Sequence, residues 1–298
     1  MLDNLSDILR RKEVEFYEYA SLKALSSMRL NALARYIVYP SCQGSLIEAI
    51  DLCRAFDVPH RVVGKMSNLL PSSSLYDGVL IKTDRLHSKT AAENLCVIEC
   101  GARFSSAVSI MARNNFGGAE GLCHIPASVG GMVYSNAGAY GTEISDLFVC
   151  ADFYNPSTHA LVRLCKGDMG FGYRKSILKE EPLVLLSATL SFVPRESGKV
   201  FEEIRRLGEK RRRAQPLELP SLGSIFKAHD GVGAGFYIDR AGLKGARFGG
   251  AAVSEKHAGF IVNIGGAVPE DVLRLIDFIK MRVSSVFGIE LKEEVEII

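Results

Sequence analysis

Apolar positions recur at helical spacing most clearly near the C-terminus, where Val272, Leu275, Ile276, Ile279, Val283 and Val286 share one face of Glu270–Phe287. That stripe predicts an amphipathic helix docked on a core, with Gly288 as its stop. Alternation replaces helical spacing in Leu147–Tyr154 and Leu183–Phe192, which predicts strands of an antiparallel sheet. Tyr36–Tyr39 is a β-type run closed by Pro40. Ser45 with Glu48 predicts a capping box opening a helix that carries Ile47, Ile50 and Cys53 or Arg54. Pro59 ends that helix, and His60–Val63 returns as a strand. Val79–Ile81 and Leu95–Cys100 read as further strands, Phe104–Asn114 as a helix, Lys199–Arg213 as a charged helix, and Glu290–Ile298 as a closing strand bearing Glu293, Glu294 and Glu296. The turn-prone Pro194–Gly198 predicts a domain boundary. The N-terminal MLDNLSDILRRKEVEF reads as a polar helix.

One stretch fits neither period. Gly117–Asp146 holds seven glycines in thirty residues, among Ala, Ser and one Pro. Its side chains are small, so the expectation is little core, no helical stripe, and a neutral backbone surface that a planar or phosphorylated cofactor can approach closely. Tight turns between short strands are the plainer reading. A second candidate is Gly64-Lys65-Met66-Ser67-Asn68, where a strand runs into a glycine and a Ser-Asn pair; this suits a phosphate-binding turn. It is not a dinucleotide fingerprint, because G-x-G-x-x-G is absent.

Composition narrows the classes. The 298 residues allow about two domains. A hydrophobic share of 47% and a charged share of 23% are those of an ordinary globular chain, and a net charge of +2 gives no call for nucleic acid or an acidic membrane. No apolar run reaches bilayer-spanning length and no secretion signal is seen. The seven cysteines are scattered, odd in number and never C-x-x-C, which argues against a disulfide framework and favours a reducing cytoplasm. There is no HExxH and no His/Cys cluster, so no metal is expected.

Three polar groups sit in unusual settings. Arg174 follows a flexible, aromatic-flanked turn in FGYRKS (171–176), Ser224 follows Gly223, and Glu294 lies between Leu291 and Val295. These do not form a hydrolase triad, since no G-x-S-x-G elbow is present. They suit a reaction that builds negative charge on a carbonyl-conjugated carbon: an arginine holds a carboxylate or enolate bidentately and a hydroxyl supplies a proton. The plainer readings are a surface arginine and a turn-capping serine. Lys210–Arg213 likewise reads as a solvated helix end complementing the macrodipole, or as a phosphate contact.

Taken together, IPASVGGMVYSNAGAYG (125–141), FGYRKS (171–176), RRAQPLELPSLGSIFK (212–227), LKGARFGGAAVSEKHAGFIVN (243–263) and LKEEVEII (291–298) resemble the UDP-N-acetylenolpyruvoylglucosamine reductase family, in order, over about residues 36–298. The short spacing from FGYRKS to the C-terminal segment resembles the family's compact second type. The resemblance implies an α+β fold: a PCMH-type FAD-binding region over residues 1–197, in two subdomains split near residue 75, followed by a smaller α+β substrate-binding domain over 198–298. It implies FAD as cofactor, NADPH as co-substrate, and reduction of UDP-N-acetylglucosamine enolpyruvate to UDP-N-acetylmuramate in peptidoglycan synthesis.

By family pattern the cofactor-binding positions are Gly64, Lys65, Met66, Ser67, Asn68, Ile125, Pro126, Ala127, Ser128, Gly130, Gly131, Asn136, Gly138, Ala139, Tyr140 and Gly141. Ser224 matches the proton donor, and Arg174 with Glu294 matches the pair that polarises the substrate carboxylate. Tyr173, Lys227, His257 and Asn263 match substrate-side positions. The implied partner is a small nucleotide-sugar substrate, with no nucleic acid, no membrane insertion, no metal and no obligate protein partner, in the cytoplasm.

Four departures stand out: Asn31-Ala32-Leu33 for the usual Gly-Gly, Met66 for glycine, Ala127 for Pro-Gly, and Ala228-His229 after the lysine. Where positive φ is required, Met66 and Ala127 each cost on the order of 1–2 kcal/mol. The competing readings are another flavin oxidoreductase on the same scaffold and a nucleotide-sugar-binding protein that has lost its flavin.

Overall fold

The structure, a computed structural model, describes residues 8–9 and 14–298. Most of the polar N-terminal pattern therefore lies outside the described residues. The chain forms two compact units. One comprises the described residues through Tyr17, Tyr36–Lys65 and Gly78–Glu209; the other comprises Glu18–Arg35, Met66–Asp77 and Lys210–Ile298.

Residues of the first unit enter two sheets. Strands Glu15–Ser21, Leu33–Tyr39, Leu75–Lys82 and His60–Val63 lie in that order, and the last two run parallel with His60 opposite Val79 and Val63 opposite Lys82. Helix Gln43–Ala55 connects the inner strand Leu33–Tyr39 to the edge strand His60–Val63 and buries Leu46, Ala49, Ile50 and Cys53. Its cap lies three residues before the predicted one. Cys42 is the N-cap, and Ser45, now at N3, takes the Cys42 N–H at 3.1 Å. Glu48 has no part in that box.

The second sheet is five-stranded and antiparallel, in the order Ala160–Cys165, Phe148–Asn155, Val184–Ser191, Leu95–Glu99, Lys89–Ala92. Both alternating runs are in it. Leu185, Leu186, Ala188 and Leu190 point into a core shared with helix Phe104–Arg113, which contributes Phe104, Ala107, Val108 and Met111. The expectation that Gly117–Asp146 builds little core is corrected here. Leu122, Val129, Met132, Val133 and Ile144 are all fully buried, and Val129–Tyr134 is a short helix capped by Ser128. The apolar residues are few but close-set, and neighbouring glycines let them pack against other backbone.

In the second unit, helix Pro269–Phe287 buries Val272, Leu275, Ile276, Ile279 and Val283 and ends at left-handed Gly288 (φ 69°). Val286 leaves the stripe and is 51% exposed, because the last turn runs past the core. The helix packs on a four-stranded antiparallel sheet ordered Ser221–Ser224, Phe260–Asn263, Ala251–Val253, Arg247–Phe248. The predicted closing strand shrinks to Glu296–Ile297, parallel to Leu69–Leu70. The stretch before it makes only an isolated bridge, Glu293 to Phe226. Among the described residues, no helix is long and apolar enough to cross a membrane, and no group of three or more His, Cys, Asp or Glu is placed to hold a metal.

Candidate active site

Strand His60–Val63 delivers the chain into Gly64–Asn68, a run of bends without internal turn bonds. The amides of Gly64, Lys65, Met66 and Ser67 donate to no protein acceptor among the described residues. The loop's shape is fixed from beneath. Lys82, only 2% exposed at the end of its strand, donates to Gly64 O at 2.9 Å and pairs with Asp84 Oδ2 at 2.9 Å. Lys65 reaches the other oxygen of Asp84 at 3.0 Å. Burial pushes the Lys82 ammonium below its ordinary pKa, against the pull of Asp84. Burial alone raises the Asp84 carboxyl, but hydrogen bonds and charge from Lys82 and Lys65 hold it below the usual carboxylate range. Two cations share one anion, so the cluster beneath the idle amides is net positive. Gly64 is required by contact: a Cβ there would lie 2.0 Å from Ser128 Oγ. Met66 adopts φ 50°, as its glycine-like position demands, and its side chain is 3% exposed. Burying a methionine contributes roughly 1.5–3 kcal/mol, enough to offset that strain.

Ile125–Gly141 is built differently. Val129 N donates to Ala102 O (2.9 Å), Gly130 N to Cys100 O (2.8 Å), Ile125 N to Leu122 O and Ala127 N to Ile125 O (2.8 Å). Gly131 N donates to Ser128 Oγ at 3.3 Å. Ala127 is not left-handed, so the strain expected there does not arise. Asn136 is left-handed (φ 42°) and buried; its amide nitrogen donates to Glu143 and to Gly172 O (2.9 Å), and its oxygen accepts from Ser145 N. The Asn136 side chain is thus spent inside the protein. Pro126 is exposed, and the hairpin Gly138–Ala139/Thr142–Glu143 carries Tyr140 and Gly141 at its tip, where Tyr140 is 40% exposed.

That same carboxamide anchors FGYRKS. Gly172 and Lys175 bridge across a tight turn whose tip is Tyr173-Arg174, with Arg174 left-handed (φ 54°). Ser176, fully buried, donates to Tyr134 O at 2.8 Å. The Arg174 guanidinium lies 5.1 Å from the Tyr173 ring centre and donates to Gly138 O at 3.5 Å. The turn thus sets an arginine beside the glycine-rich hairpin.

The second unit brings Ser224 and Glu294 onto neighbouring backbone. Gly223 takes φ 80° at an irregularity in the strand pairing, and Ser224 follows it exposed, with no protein partner for its hydroxyl among the described residues. Glu294 N donates to Ile225 O at 2.8 Å, and Asn68 Nδ2 donates to Glu294 O at 2.9 Å. Lys227 N is held by Lys292 O at 2.8 Å. His257 is half-buried, and that burial lowers its imidazole pKa. Its Nδ1 accepts from Gly259 N (3.1 Å), so the neutral ring carries its proton on Nε2. Asn263 has another job than the predicted substrate contact. Its nitrogen donates to Met28 O and Arg29 O (3.0 and 3.1 Å), and its oxygen accepts from Gly265 N and Ala267 N (2.9 and 3.3 Å). All four of its hydrogen-bonding positions are taken. Asn31, one of the departures, joins the same seam through Gly266 O and Ala267 O.

Residues 215–298 match the family model of the UDP-N-acetylenolpyruvoylglucosamine reductase C-terminal domain, and residues 34–157 match an FAD binding domain. The chain is 42% identical over 292 residues to UDP-N-acetylenolpyruvoylglucosamine reductase of Caldicellulosiruptor saccharolyticus, covering 97% of this chain and 94% of that one. Its Clostridium perfringens counterpart is 36% identical, with 95% of each covered. The chain belongs to the UDP-N-acetylenolpyruvoylglucosamine reductase family. The crystal structure of the Thermus caldophilus reductase matches with a TM-score of 0.78 at 30% identity, over 95% of this chain and 98% of that one. A chitooligosaccharide oxidase matches with a TM-score of 0.50 at 18% identity over 63% of this chain and 43% of its own, which is a likeness of fold alone.

The family implies FAD, and the donor set of this reductase fits a dinucleotide. Four idle amides and a net-positive lysine cluster are what a diphosphate requires. Lys82 and Asp84 were absent from the sequence-based candidates. Their signal is Val79-Leu80-Ile81-Lys82, a lysine extending a buried apolar run, with an acid two residues on.

Proposed function

We infer that this chain reduces UDP-N-acetylglucosamine enolpyruvate to UDP-N-acetylmuramate for peptidoglycan precursor synthesis, as an FAD-dependent, NADPH-driven oxidoreductase. The observation that carries this reading is coverage: the 42%-identical relative is matched over 97% of this chain, cofactor and substrate segments alike.

When bound, the flavin supplies the two-electron chemistry that no side chain offers. The residues bind, orient and move a proton. Gly64–Ser67 and Lys65 receive the cofactor diphosphate. Arg174 and Glu294 polarise the substrate carboxylate and stabilise the charge that develops beside it. Ser224 donates the proton that quenches that charge; a weak acid suffices because its position is fixed and the base it meets is strong. Its uncommitted hydroxyl supports that role. Tyr173, Lys227 and His257 Nε2–H serve on the substrate side. We assign residues 1–197, in two subdomains split near residue 75, to the FAD-binding region and 198–298 to the substrate-binding domain, while by packing Glu18–Arg35 and Met66–Asp77 group with the C-terminal unit and 198–209 with the first. We place the reaction in the cytoplasm, where seven free thiols persist.

Purified protein that is yellow, and that oxidises NADPH only when the enolpyruvyl substrate is added, bears this out; protein that cannot be loaded with flavin sinks it. Ser224→Ala retains NADPH-driven flavin reduction and loses at least about a hundredfold in turnover of the enolpyruvyl substrate, the scale of a general-acid contribution. Equal loss in both half-reactions contradicts the assigned role.

A further inference from the structure

The seven cysteines, all free, differ in their surroundings. Cys53, Cys96 and Cys100 are buried, and burial pushes their thiols up to about 12, about 11 and about 12. Cys123 is half-buried and raised for the same reason. Cys42 is exposed and serves as a helix cap. Cys150 and Cys165 face each other. They are direct cross-strand partners in the hairpin of Phe148–Asn155 and Ala160–Cys165, next on the same side to the pair Asp152 and Arg163.

The Cys165 N–H donates to Asp168 Oδ2 at 2.8 Å and not to Cys150. The pair is therefore of the non-hydrogen-bonded kind, with Cα atoms about 4.5 Å apart and side chains close together. A disulfide accepts Cα separations of roughly 4.4–6.8 Å and needs Cβ atoms within about 4.5 Å, so closure asks for a pinch of no more than about 1 Å. The hairpin can provide it. Ala160–Cys165 is the edge strand of its sheet, Cys165 is its last residue, and Cys165 is exposed. The two-pronged Asp152–Arg163 ion pair (2.8 and 2.9 Å) holds the register beside it.

We propose that Cys150 and Cys165 form a reversible dithiol–disulfide site, closed by a peroxide or by a low-molecular-weight disulfide. With hydrogen peroxide, the Cys165 thiolate attacks one oxygen, the O–O bond breaks, and a sulfenic acid and water result. The Cys150 thiol then attacks that sulfur, the S–S bond forms, and the hydroxyl leaves with a proton as water. Two thiols lose two electrons and two protons, and one peroxide becomes two waters. A small disulfide gives the same product by exchange and is itself reduced to two thiols. Exposed, pinched disulfides are the easily reduced kind, so a dithiol restores the open form.

The test uses the full chain loaded with cofactor, treated with equimolar hydrogen peroxide, alkylated, and digested without reduction. The free-thiol count falls by two from seven, and mass spectrometry finds a peptide pair joining Cys150 to Cys165 that dithiothreitol dissolves. In Cys150→Ser the cross-link is absent and Cys165 is trapped as a sulfenic acid by dimedone. The proposal is overturned if Cys150 and Cys165 are alkylated as in untreated protein, or if Cys165 is found joined to a different cysteine or to a second chain.

Discussion

In Gly64–Asn68 the amides are idle and the flanking side chains are tied, Lys65 to Asp84 and Asn68 to Glu294 O. In Ile125–Gly141 the first amides are spent on Leu122, Ala102 and Cys100, while the hairpin tip stands out at Tyr140. Both stretches contain glycine, yet glycine serves two physical ends. At Gly64 and Gly130 it permits contact between parts of the protein: an added Cβ would meet Ser128 Oγ at 2.0 Å or Cys100 O at 3.2 Å. At Gly223 and Gly141 nothing lies within 4 Å, and the positive φ is what matters. A glycine-rich segment is therefore not by itself an amide surface for a ligand. The sparser loop, with one glycine in five residues, carries more free donors.

Three substitutions sharpen that contrast, from the largest effect to the smallest. Gly64→Ala forces two loops apart; it lowers stability by up to about 3 kcal/mol in urea unfolding of the apoprotein and weakens FAD binding at least about tenfold by flavin-fluorescence titration. Unchanged FAD affinity would remove Gly64–Ser67 from the cofactor site.

Asp84→Asn comes next, at about 2 kcal/mol near neutral pH, since two lysines lose their shared anion. Because the Asp84 pKa is lowered on folding, its stabilisation is present above the ordinary value of 3.8 and is lost as pH falls through the lower folded value. Acid unfolding curves of wild type and variant should therefore converge below pH 3.8. A gap that persists there would mean that shape, not charge, is Asp84's contribution.

Gly131→Ala is expected to stabilise by roughly 0.5–1 kcal/mol through helix propensity, with FAD affinity unchanged. Its Cβ meets only Ser128 Oγ at 3.6 Å. Lost FAD affinity in this variant would place Gly131 in contact with the cofactor.

Much of the fold was readable because its signals are long. The stripe from Val272 to Val283 and the alternation in Val184–Ser191 follow from one-sided burial over several turns or residue pairs. Short elements carry no such period. Val129–Tyr134 buries only three residues, too few to register as a helix among glycines. The cap at Cys42 was displaced to Ser45 because a thiol is not an expected N-cap. The motifs around Ser224, Arg174 and Glu294 stood out by resemblance. The partnership of Lys82, Asp84 and Gly64 did not, because it joins residues eighteen and twenty apart through folding alone. Resemblance marks Asn263 as a substrate-side position without saying which way its side chain is employed, and the fold spends that side chain on Met28, Arg29, Gly265 and Ala267.

The seam around Asn263 also dictates an order of assembly. The carbonyls of Met28 and Arg29 leave the ribosome 235 and 234 residues ahead of the amide that will bind them. The second unit cannot close until the last stretch of the chain has been translated, and apolar Met28 and Leu30, fully buried in the finished protein, must wait through nearly the whole of synthesis. A gene cut at residue 215 to isolate the C-terminal domain yields a fragment whose Asn263 amide nitrogen has lost both carbonyls it donates to.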